Sequence, residues 1–494
     1  MQSIKTAIYQ TQQIRELERL AQERFGITEQ VMMQRAGKAA VDFLLRRWPN
    51  AQHILVFCGS GNNGGDGYVL AQQAHERGLK VDICQVGHPE PQQGAAKEAF
   101  EICQQAHIPM QPFQEKMNLP HPDIIVDAIC GTGLKDNLRD AAVAAIKKMQ
   151  HLRAPIFALD IPSGIHADTG QVLGAAPHAA ATITFIGLKL GLLTGNGIGY
   201  TGELVCNDLQ LPTDLFTYVK PVAEKISLNI YADYLHPRPR DWHKGLCGHV
   251  LVIGGALGFS GAARMAGEAA LRVGAGLVSV ATHPENAIVM NVARPELMCH
   301  GVKTVAELKP LIERANVIIL GPGLGQSAWA VDLWKYACEQ DLPLVVDADA
   351  LNLLAKAPLS KENWILTPHP GEAARLVDAT SQVIQQDRLA AIETIQQRYG
   401  GVCVLKGAGS LILSPHAPPA LCDKGNPGMA SAGMGDILSG VIGGLIAQGI
   451  PIGDAAKLGV CLHAMAGDLA AKEGERGMIA MDLMPYLRRL ATHE

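Results

Sequence analysis

Short, continuous apolar runs recur along this chain, and most of them end in a glycine-rich or acidic turn. In the first half they read HILVFC, KVDICQVG, DIIVDAIC, PIFALDIP and ATITFIGLKLG, with helical spacing between several of them. Runs that are apolar throughout, rather than at alternate positions, are typical of parallel strands buried on both faces. The pattern therefore predicts a doubly wound, Rossmann-like α/β domain.

A second series of the same kind follows a proline-rich break in residues 211–240, which contains YLHPRPRDWHKG. This series reads HVLVIGG, GLVSVAT, ANVIILGPG, LPLVVDADA, NWILTPHPG and GVCVLKGAG. We place the junction near residues 215–235. The chain is thus predicted to form two α/β domains, over residues 1–220 and 228–494.

Charge and cysteine usage exclude several classes of partner. The formal net charge is −5, and no basic run is interleaved with aromatic residues, so we expect no nucleic-acid partner. No uninterrupted apolar segment reaches the ~18 residues that a membrane span needs, so we expect no membrane partner. The 11 cysteines are scattered, with no C-x-x-C pair, which is typical of reduced thiols and predicts a cytoplasmic protein.

The first strand is followed by GSGNNGGDGY, in which Gly59, Gly61 and Gly64 have the spacing of a dinucleotide-binding turn. A dehydrogenase of this fold also needs an acidic residue after the second strand, to bind the ribose hydroxyls. Here that strand is KVDICQVG, and it carries Gln85 near its end instead. The loop also holds polar groups in residues 62–66 that phosphate binding does not require. Both features argue against a simple dehydrogenase.

Two further loops follow strand ends and carry acidic residues. VDAICGTGLKDN contains Asp127, and LDIPSGIHADTG contains Asp160 and Ser163. In an open parallel sheet, such loops line the ligand crevice. The two carboxylates could hold a cation and transfer a proton, although aspartates in this position also cap helices.

These motifs, NNGGDG, VDAICGTG, LDIPSG and FIGLKLGLLTG, together resemble the NAD(P)H-hydrate epimerase domain. In that family the dinucleotide is the substrate: hydration of the nicotinamide ring gives two inactive epimers, which the domain interconverts. The resemblance implies a potassium ion held by Asn63, Asp127 and Ser163. It favours Asp160 as the proton-transfer carboxylate, with Asp127 as the alternative. The residues expected to line the substrate are Asn62, Asn63, Gly64, Gly65, Asp66, Gly131, Thr132, Gly133, Leu134, Lys135, Asp136, Asn137 and Asp160.

The strongest local signal of the second half is MASAGMGDILSG, where Gly433, Gly435 and Asp436 stand at the entry to a helix. A helix N-terminus binds anions, and an aspartate there can accept the proton of a hydroxyl that attacks a phosphoryl group. This turn resembles the ribokinase-like fold, whose members phosphorylate alcohols. After another strand, residues 406–410 (KGAGS) supply a lysine and glycine amides for nucleotide phosphates.

Three other loops agree with this interpretation. GPGLG contains Gly323, and TPHPGE places His369 between two prolines. VDADALN carries Asp347, Asp349 and Asn352, which are candidates for contacts near a phosphate or a metal, although at least one of them is expected to cap a helix.

In their order, the motifs of residues 240–485 resemble the NAD(P)H-hydrate dehydratase domain, so nearly the whole chain resembles the bifunctional NAD(P)H-hydrate repair enzymes. The resemblance implies that Asp436 is catalytic, that ADP (or ATP, as in eukaryotic members) is the phosphoryl donor, and that Mg²⁺ accompanies it. The partners are then small molecules, hydrated NADH and NADPH and the nucleotide, and we expect a homo-oligomer. The residues implied to hold the nucleotide are Lys406, Gly407, Ala408, Gly409, Ser410 and Gly435. Those implied to contact the hydrated dinucleotide are Ala262, Gly323, His369 and Asp436.

Three alternatives share parts of this pattern. A ribokinase-like kinase of small alcohols, preceded by a regulatory nucleotide-binding domain, would carry the same G-x-G-D turn. A non-enzymatic sensing module could retain the first loop for its fold alone. An NAD-dependent dehydrogenase is the weakest alternative, because it lacks the acidic residue after the second strand.

Overall fold

The computed structural model describes residues 6–87, 93–292 and 294–492. The chain divides into two compact units, Met1–Glu224 and Lys225–Glu494. This division falls within the junction region expected from the sequence, and the outermost residues of both expected domains lie outside the described part of the chain. Over the described residues, no helix combines the length and the apolar character needed to cross a bilayer.

The N-terminal unit is built on a parallel sheet of seven strands. Its elements are β1 (Ala7–Tyr9), α1 (Thr11–Phe25), α2 (Glu29–Arg47), β2 (His53–Cys58), α3 (Asn62–Glu76), β3 (Lys80–Gln85), α4 (Gly94–Gln105), β4 (Met110–Pro112), β5 (Ile124–Ala128), α5 (Asp140–His151), β6 (Ile156–Leu159), β7 (Ala181–Phe185), β8 (Leu188–Lys189), α6 (Ile198–Thr201), β9 (Glu203–Asn207) and β10 (Ala223–Lys225), with 3-10 helices at Leu190–Leu192 and Thr213–Thr217. The strand order is β4-β3-β2-β5-β6-β7-β9, and every pairing in it is parallel.

The apolar runs form strands because both faces of this sheet are covered. In β2, Ile54 and Val56 belong to one buried cluster, whereas Leu55 and Phe57 belong to another on the opposite face. The strand order reverses at β2, which lies between β3 and β5. A ligand crevice is expected outside the carboxyl ends of the strands at such a point. The predicted doubly wound α/β layout is confirmed.

One predicted strand is divided. The run ATITFIGLKLG ends as β7 at Phe185, because Ile186 adopts a left-handed φ of 68° and turns the chain. The chain resumes as β8, which pairs in parallel with β1 (Ile8 opposite Leu188), while β1 pairs on its other side with β10. The division matters because it places Lys189 beside the end of β6, as described below.

The C-terminal unit is a second α/β sheet. Its elements are β11 (His249–Ile253), α7 (Ser260–Arg272), β12 (Leu277–Thr282), α8 (Pro284–Met290), β13 (Met298–Gly301), α9 (Val305–Ile312), β14 (Val317–Leu320), α10 (Ala328–Cys338), β15 (Leu344–Val346), α11 (Ala348–Lys356), β16 (Trp364–Leu366), α12 (Pro370–Leu376), α13 (Ser381–Gln386), α14 (Arg388–Tyr399), β17 (Val402–Leu405), β18 (Ser410–Leu413), β19 (Ala420–Cys422), α15 (Met434–Ala447), α16 (Ile452–Ala470) and α17 (Met484–Leu490), with 3-10 helices at Leu228–Leu235, Pro427–Met429, Ala471–Glu473 and Ala480–Leu483.

The strands of this unit run in the order β13-β12-β11-β14-β15-β16-β17-β18-β19. Pairings are parallel as far as β17 and antiparallel from β17 to β19. The order reverses at β11, so the loops after β11, β14, β15, β16 and β17 meet at one edge of the sheet. Helix α15, buried along almost its whole length, packs against α7, α16 and the strands, and its first turn carries the predicted G-x-G-D sequence.

Candidate functional site

A cavity of about 830 Å³ opens at the carboxyl ends of β2, β5 and β6 in the N-terminal unit. Helices α1 and α2 and the chain around Ile186 close its other sides. Gly64 and Gly65, which were expected to contact substrate, are buried behind its wall. The predicted residues that line it are Asn62, Asn63, Asp66, Gly131, Thr132, Gly133, Leu134, Lys135, Asp136, Asn137 and Asp160.

The glycines of GSGNNGGDGY serve chiefly to bring backbones together. Helix α3 begins at Asn62, so the NNGGD sequence forms its first turn instead of a loop. A Cβ on Gly64 would lie 1.9 Å from the Gly59 oxygen, and one on Gly59 would lie 2.0 Å from the Ile129 oxygen. Only Gly61 of the three faces open space, with no atom within 4 Å of its Cβ position.

Asp160 is held at the cavity by a buried lysine. The Lys189 ammonium donates to Asp160 Oδ1 at 2.6 Å, to Thr184 Oγ1 at 2.9 Å and to the Phe185 carbonyl at 2.7 Å. The Lys189 side chain is 1% exposed and that of Asp160 is 14% exposed. Asp160 also adopts a left-handed φ of 62°, a strained conformation of the kind that clusters at functional sites.

The second carboxylate, Asp127, is entirely buried and faces Ser163. Its Oδ2 accepts a hydrogen bond from the Ser163 amide at 2.8 Å, and its Oδ1 accepts one from the Ser163 hydroxyl at 2.6 Å. Burial raises the pKa of Asp127 to about 6, although these hydrogen bonds oppose the shift. Asp127 and Ser163 do not line the cavity, so the structure separates the two aspartates that the sequence left as alternatives.

Asn63 is unusual because its amide is buried but unsatisfied. Neither Oδ1 nor Nδ2 has a hydrogen-bond partner among the described residues. A Cβ on Gly131 would lie 3.2 Å both from Asn63 Cβ and from Asp160 Oδ2, so Asn63 approaches the loop after β5 closely. A buried amide without partners costs free energy, and it is one of the few such groups that call for a ligand.

Two of the other carboxylates at this cavity have a raised pKa, and the sequence singled out only one of these two. Burial, together with Asp160 and Glu18, holds the pKa of Asp66 well above its usual range, with Lys189 opposing. Burial also raises the pKa of Glu18 to about 7, against the attraction of Lys189. Glu18 lies on α1, far from every motif, and no sequence signal distinguished it from the other glutamates of that helix.

In the C-terminal unit a lysine and two carboxylates converge at the ends of β15, β16 and β17. Lys406 Nζ donates to Asp347 Oδ1 at 2.8 Å and lies 3.7 Å from Glu372 Oε2. Burial acts to raise the pKa of Asp347, but Lys406 and hydrogen bonds outweigh it, so this pKa is below its usual value. Burial raises the pKa of Glu372 to about 7, with Lys406 opposing. Glu372 is a residue that the sequence did not identify.

Asp436 stands in the first turn of α15, close to this cluster. Burial and the charge of Asp347 raise the pKa of Asp436 to about 7, while Lys406 opposes the shift. A Cβ on Gly435 would lie only 3.1 Å from Lys406 Nζ. Ser439, one turn further along, donates to Asp347 Oδ2 at 2.7 Å. The start of α15 therefore meets Lys406 directly.

The remaining predicted loops lie at the same edge of the sheet. Gly323, at φ 60°, packs so closely that its Cβ would lie 3.2 Å from Ala262 Cβ. His369 caps α12: Nδ1 accepts from the Gly371 amide at 2.9 Å, and its own amide donates to Glu372 Oε2 at 2.8 Å. Asp349 accepts from a loop amide, that of Gly325, at 2.8 Å.

The KGAGS turn rests on a buried arginine that the sequence did not reveal. Arg388 Nη2 donates to the carbonyls of Leu405, Lys406 and Gly409 at 3.2–3.4 Å. Burial lowers the pKa of Arg388 to about 10. A Cβ on Gly407, at φ 138°, would lie 3.0 Å from Arg388 Nη1. Arg388 therefore stabilises the shape of the turn through these carbonyl hydrogen bonds. The Lys406 side chain points instead towards the start of α15.

The two units together define a class of protein. One unit is Rossmann-like, with an acidic cavity at the point where its strand order reverses. The other places Lys406, which follows β17, beside Asp436 in the first turn of the glycine-rich helix α15, as expected of a ribokinase-like fold. The chain is thus a two-part α/β enzyme with a separate site in each part.

Comparison with known proteins narrows this class. Residues 250–489 match the family model described as NAD(P)H-hydrate dehydratase, and residues 29–191 match that of the YjeF-related protein N-terminus. The bifunctional NAD(P)H-hydrate repair enzyme Nnr of Coxiella burnetii is 50% identical over 99% of this chain and 100% of that protein. The enzyme of the same name from Escherichia coli is 43% identical over 100% of this chain and 95% of its own length.

Among solved structures, a ribokinase-like superfamily protein of Enterococcus faecalis is 32% identical, with a TM-score of 0.50, over 54% of this chain and 94% of its own. This likeness confirms the predicted ribokinase-like fold of the second half. The chain belongs to the family of bifunctional NAD(P)H-hydrate repair enzymes.

Proposed function

We propose that the protein repairs hydrated NADH and NADPH in two steps. The N-terminal unit interconverts the R and S epimers of the hydrate. The C-terminal unit dehydrates the S epimer to NADH or NADPH and consumes ADP, which becomes AMP and phosphate. The observation that carries this proposal is the pair of separate sites, one in each unit, in a chain related along its full length to enzymes named for NAD(P)H-hydrate repair.

In the N-terminal unit, Asp160 is the proton-transfer carboxylate of the epimerase. It lines the cavity, and the Lys189 ammonium holds one of its oxygens at 2.6 Å while the other faces the loop after β5. Asp127 is the weaker candidate, because it is fully buried and its oxygens already accept hydrogen bonds from Ser163. The loop of residues 131–137 then lies along the dinucleotide.

Asn63, Asp127 and Ser163 form a potassium site in this proposal. The fit rests on the unsatisfied Asn63 amide, whose Oδ1 would supply a hard oxygen ligand, while Asp127 would supply the one buried carboxylate. One carboxylate balances a monovalent ion, and the described residues contain no group of three acidic, histidine or cysteine side chains that suits a divalent metal. When bound, the ion would neutralise Asp127 and fix the first turn of α3.

In the C-terminal unit, Asp436 accepts the proton of the hydroxyl on the hydrated ring as that hydroxyl attacks the terminal phosphoryl group of ADP. The oxygen, a poor leaving group as hydroxide, departs as phosphate when the ring nitrogen lone pair forms a double bond to carbon. Loss of a proton from the neighbouring carbon restores the dihydropyridine. Ala262, Gly323 and His369, which lie at the same edge of the sheet, contact the dinucleotide.

The amides at the start of α15, those of Gly433 and Gly435, stabilise the transferring phosphoryl group. Lys406 and the turn of residues 406–410 hold the donor, with Gly435. Mg²⁺ bound with the nucleotide would neutralise charge on its phosphates. Nucleotide-bound Mg²⁺ needs only one or two protein carboxylates, which this acidic site would provide.

The decisive experiment mixes the protein with hydrated NADH, ADP, Mg²⁺ and K⁺ and follows the absorbance of the reduced nicotinamide. We expect complete recovery from a mixture of both epimers. Failure to recover it with either ADP or ATP would refute the proposal. If recovery fails and the protein instead phosphorylates a small alcohol added with the nucleotide, the kinase alternative is identified.

Variants separate the two activities. Asp436→Asn is expected to abolish dehydration and leave epimerisation intact, and Asp160→Asn is expected to do the reverse, so that only the S epimer is recovered rapidly. Asp332→Asn, at an exposed position of α10, is the matched control and retains both. Loss of both activities in one of the first two variants would contradict the assignment of one site to each unit.

We also propose a cytoplasmic location and a homo-oligomeric state. All 11 cysteines are free, which fits a reducing compartment. Ile288 and Val292, around the end of α8, are 83% and 78% exposed and support association between copies. Sedimentation of the purified protein measures the oligomeric state, and a monomer at micromolar concentration would contradict this part of the proposal.

A further inference from the structure

Helix α1 presents a glutamate to the epimerase cavity. Ile14, Glu18 and Gln22, spaced four residues apart and therefore on one face of the helix, all line the cavity. The solvent-exposed face carries Arg19, which forms ion pairs with both Glu16 and Glu23. Glu18 thus occupies a half-buried position on the side of the helix that faces the cavity.

Glu18 also lies outside the segment matched by the N-terminal family model, which begins at residue 29. Helix α1 is nevertheless fixed against the unit. The Thr11 amide and hydroxyl donate to Asp168 Oδ1 at 2.6 and 3.0 Å, and Gln13 Nε2 donates to the Lys220 carbonyl at 2.6 Å. The Glu18 carboxylate is therefore held in the cavity by a rigid element.

A group of this kind fits one route of epimerisation. If the hydroxyl leaves one face of the ring carbon and water adds to the other, each face needs a group that transfers a proton. Asp160, which the proposed function already uses, lines this cavity and is paired with Lys189. A second group that can donate a proton on the other face is needed, and Glu18 stands on a different element, α1, facing the same cavity.

We propose that Glu18 is the second proton-transfer residue of the epimerase, acting with Asp160. The Glu18 carboxylic acid donates its proton to the ring hydroxyl, the carbon–oxygen bond breaks, and water leaves with the electron pair while the ring nitrogen lone pair forms a double bond to that carbon. A water on the other face then adds to the carbon and gives its proton to Asp160, and the nitrogen regains its lone pair. In the reverse reaction Asp160 donates the proton and Glu18 accepts it. Proton exchange with solvent then restores the starting protonation state of both carboxyl groups.

The charges around Glu18 support this assignment. Burial raises the pKa of Glu18 to about 7, so that a large fraction of the carboxyl is protonated at neutral pH. The charged groups that face it from the surrounding elements are Lys189 on β8, Asp160 after β6, Glu29 on α2, Asp66 on α3 and Arg15 on α1. Since the acid form is the one required, the epimerisation rate is expected to fall as the pH rises through about 7.

The test measures epimerisation of R-hydrated NADH by the full-length protein with K⁺ and without ADP, using chromatographic separation of the epimers. Glu18→Gln is expected to lower kcat by about 100-fold or more, because general acid catalysis contributes about 10²–10⁴-fold. KM is expected to change little, and the decline of kcat above pH 7 disappears. Glu23→Gln, on the exposed face of the same helix, is the matched control and keeps the unmodified rate.

Further measurements keep the result interpretable. Glu18→Asp, which restores a carboxyl group, is expected to recover part of the rate and its pH dependence. In water labelled with heavy oxygen, each epimerisation is expected to place one label on the ring. Dehydration of the S epimer with ADP is expected to be unchanged in Glu18→Gln, which excludes general loss of the protein.

The outcomes distinguish this inference from the function on which it rests. If the unmodified protein does not interconvert the epimers, the proposed epimerase itself fails. If it does, and Glu18→Gln matches Glu23→Gln in rate and pH profile, or raises KM alone, Glu18 has no part in proton transfer. Retention of the original oxygen on the ring would overturn the bond-breaking step as written.

Discussion

Replacement of Lys406 by methionine is expected to destabilise the C-terminal unit as well as to abolish dehydration. Lys406 Nζ lies 2.8 Å from Asp347 Oδ1, and the Asp347 side chain is 2% exposed. Methionine keeps most of the aliphatic volume but leaves this buried carboxylate without its counter-ion. Breaking a buried ion pair in this way costs about 3–5 kcal/mol. We expect the lower end, about 3 kcal/mol, because Ser439 still donates to Asp347 and the Lys406 side chain is 17% exposed.

The loss depends on pH in a defined direction. In the unmodified protein Lys406 keeps the pKa of Asp347 below its usual value, so this group adds stability at neutral pH that is lost only in acid. Without Lys406 burial prevails and the pKa of Asp347 rises above its value in the unfolded chain. The variant then loses stability as the pH increases through that range, so its deficit is largest near neutrality and shrinks as the pH falls.

Thermal unfolding followed by tryptophan fluorescence measures both effects. A loss of about 3 kcal/mol lowers the Tm of a unit of this size by roughly 6–12 °C. The double variant Lys406→Met/Asp347→Asn is expected to regain most of that loss, because no buried charge remains. Lys472→Met, at an exposed position, is the control. An unchanged Tm, a deficit independent of pH, or no recovery in the double variant would each refute the reasoning.

Three further predictions concern the two sites. Asn63→Leu removes the unsatisfied amide, so without K⁺ this variant is expected to be at least as stable as the unmodified protein. Addition of K⁺ is expected to raise the Tm and the epimerisation rate of the unmodified protein only. Equal shifts in the variant and in the unmodified protein would contradict the potassium site. Dehydration is expected to rise with pH through about 7, because Asp436 must be ionised to accept a proton; a flat kcat profile would argue against that role. In Gly433→Ala the added carbon lies 2.6 Å from Met265 Cε and the alanine must adopt a φ of 91°, so we expect a loss of about 2 kcal/mol in denaturant unfolding. The control Gly258→Ala is expected to lose about 1 kcal/mol, because its φ is 83° but no atom lies within 4 Å of the added carbon. Equal losses in the two variants would show that packing around Gly433 does not contribute.

The layout of both units could be read from the sequence because its signals are local. A run such as HILVFC is apolar at successive positions since both faces of β2 are buried, and that is visible without knowing which strands are neighbours. The start of α15 was equally readable, because glycine and aspartate there serve the helix terminus itself. The NNGGD sequence was not: its glycines suggested a loop, but the close approach of α3 to the Gly59 backbone, α2 and α4 requires them within the first helical turn.

The sequence by itself determined the class of fold, the order of the motifs and, through them, the family. The tertiary structure alone decided which side chains act together. Lys189 follows Asp160 by 29 positions and sits in an apolar run, yet the turn at Ile186 brings their charges to 2.6 Å. In the sequence Glu18 cannot be distinguished from the other glutamates of α1; only the structure shows that it lines the cavity. Local patterns encode the burial of each element, whereas the pKa of a carboxyl depends on charges that only folding places around it.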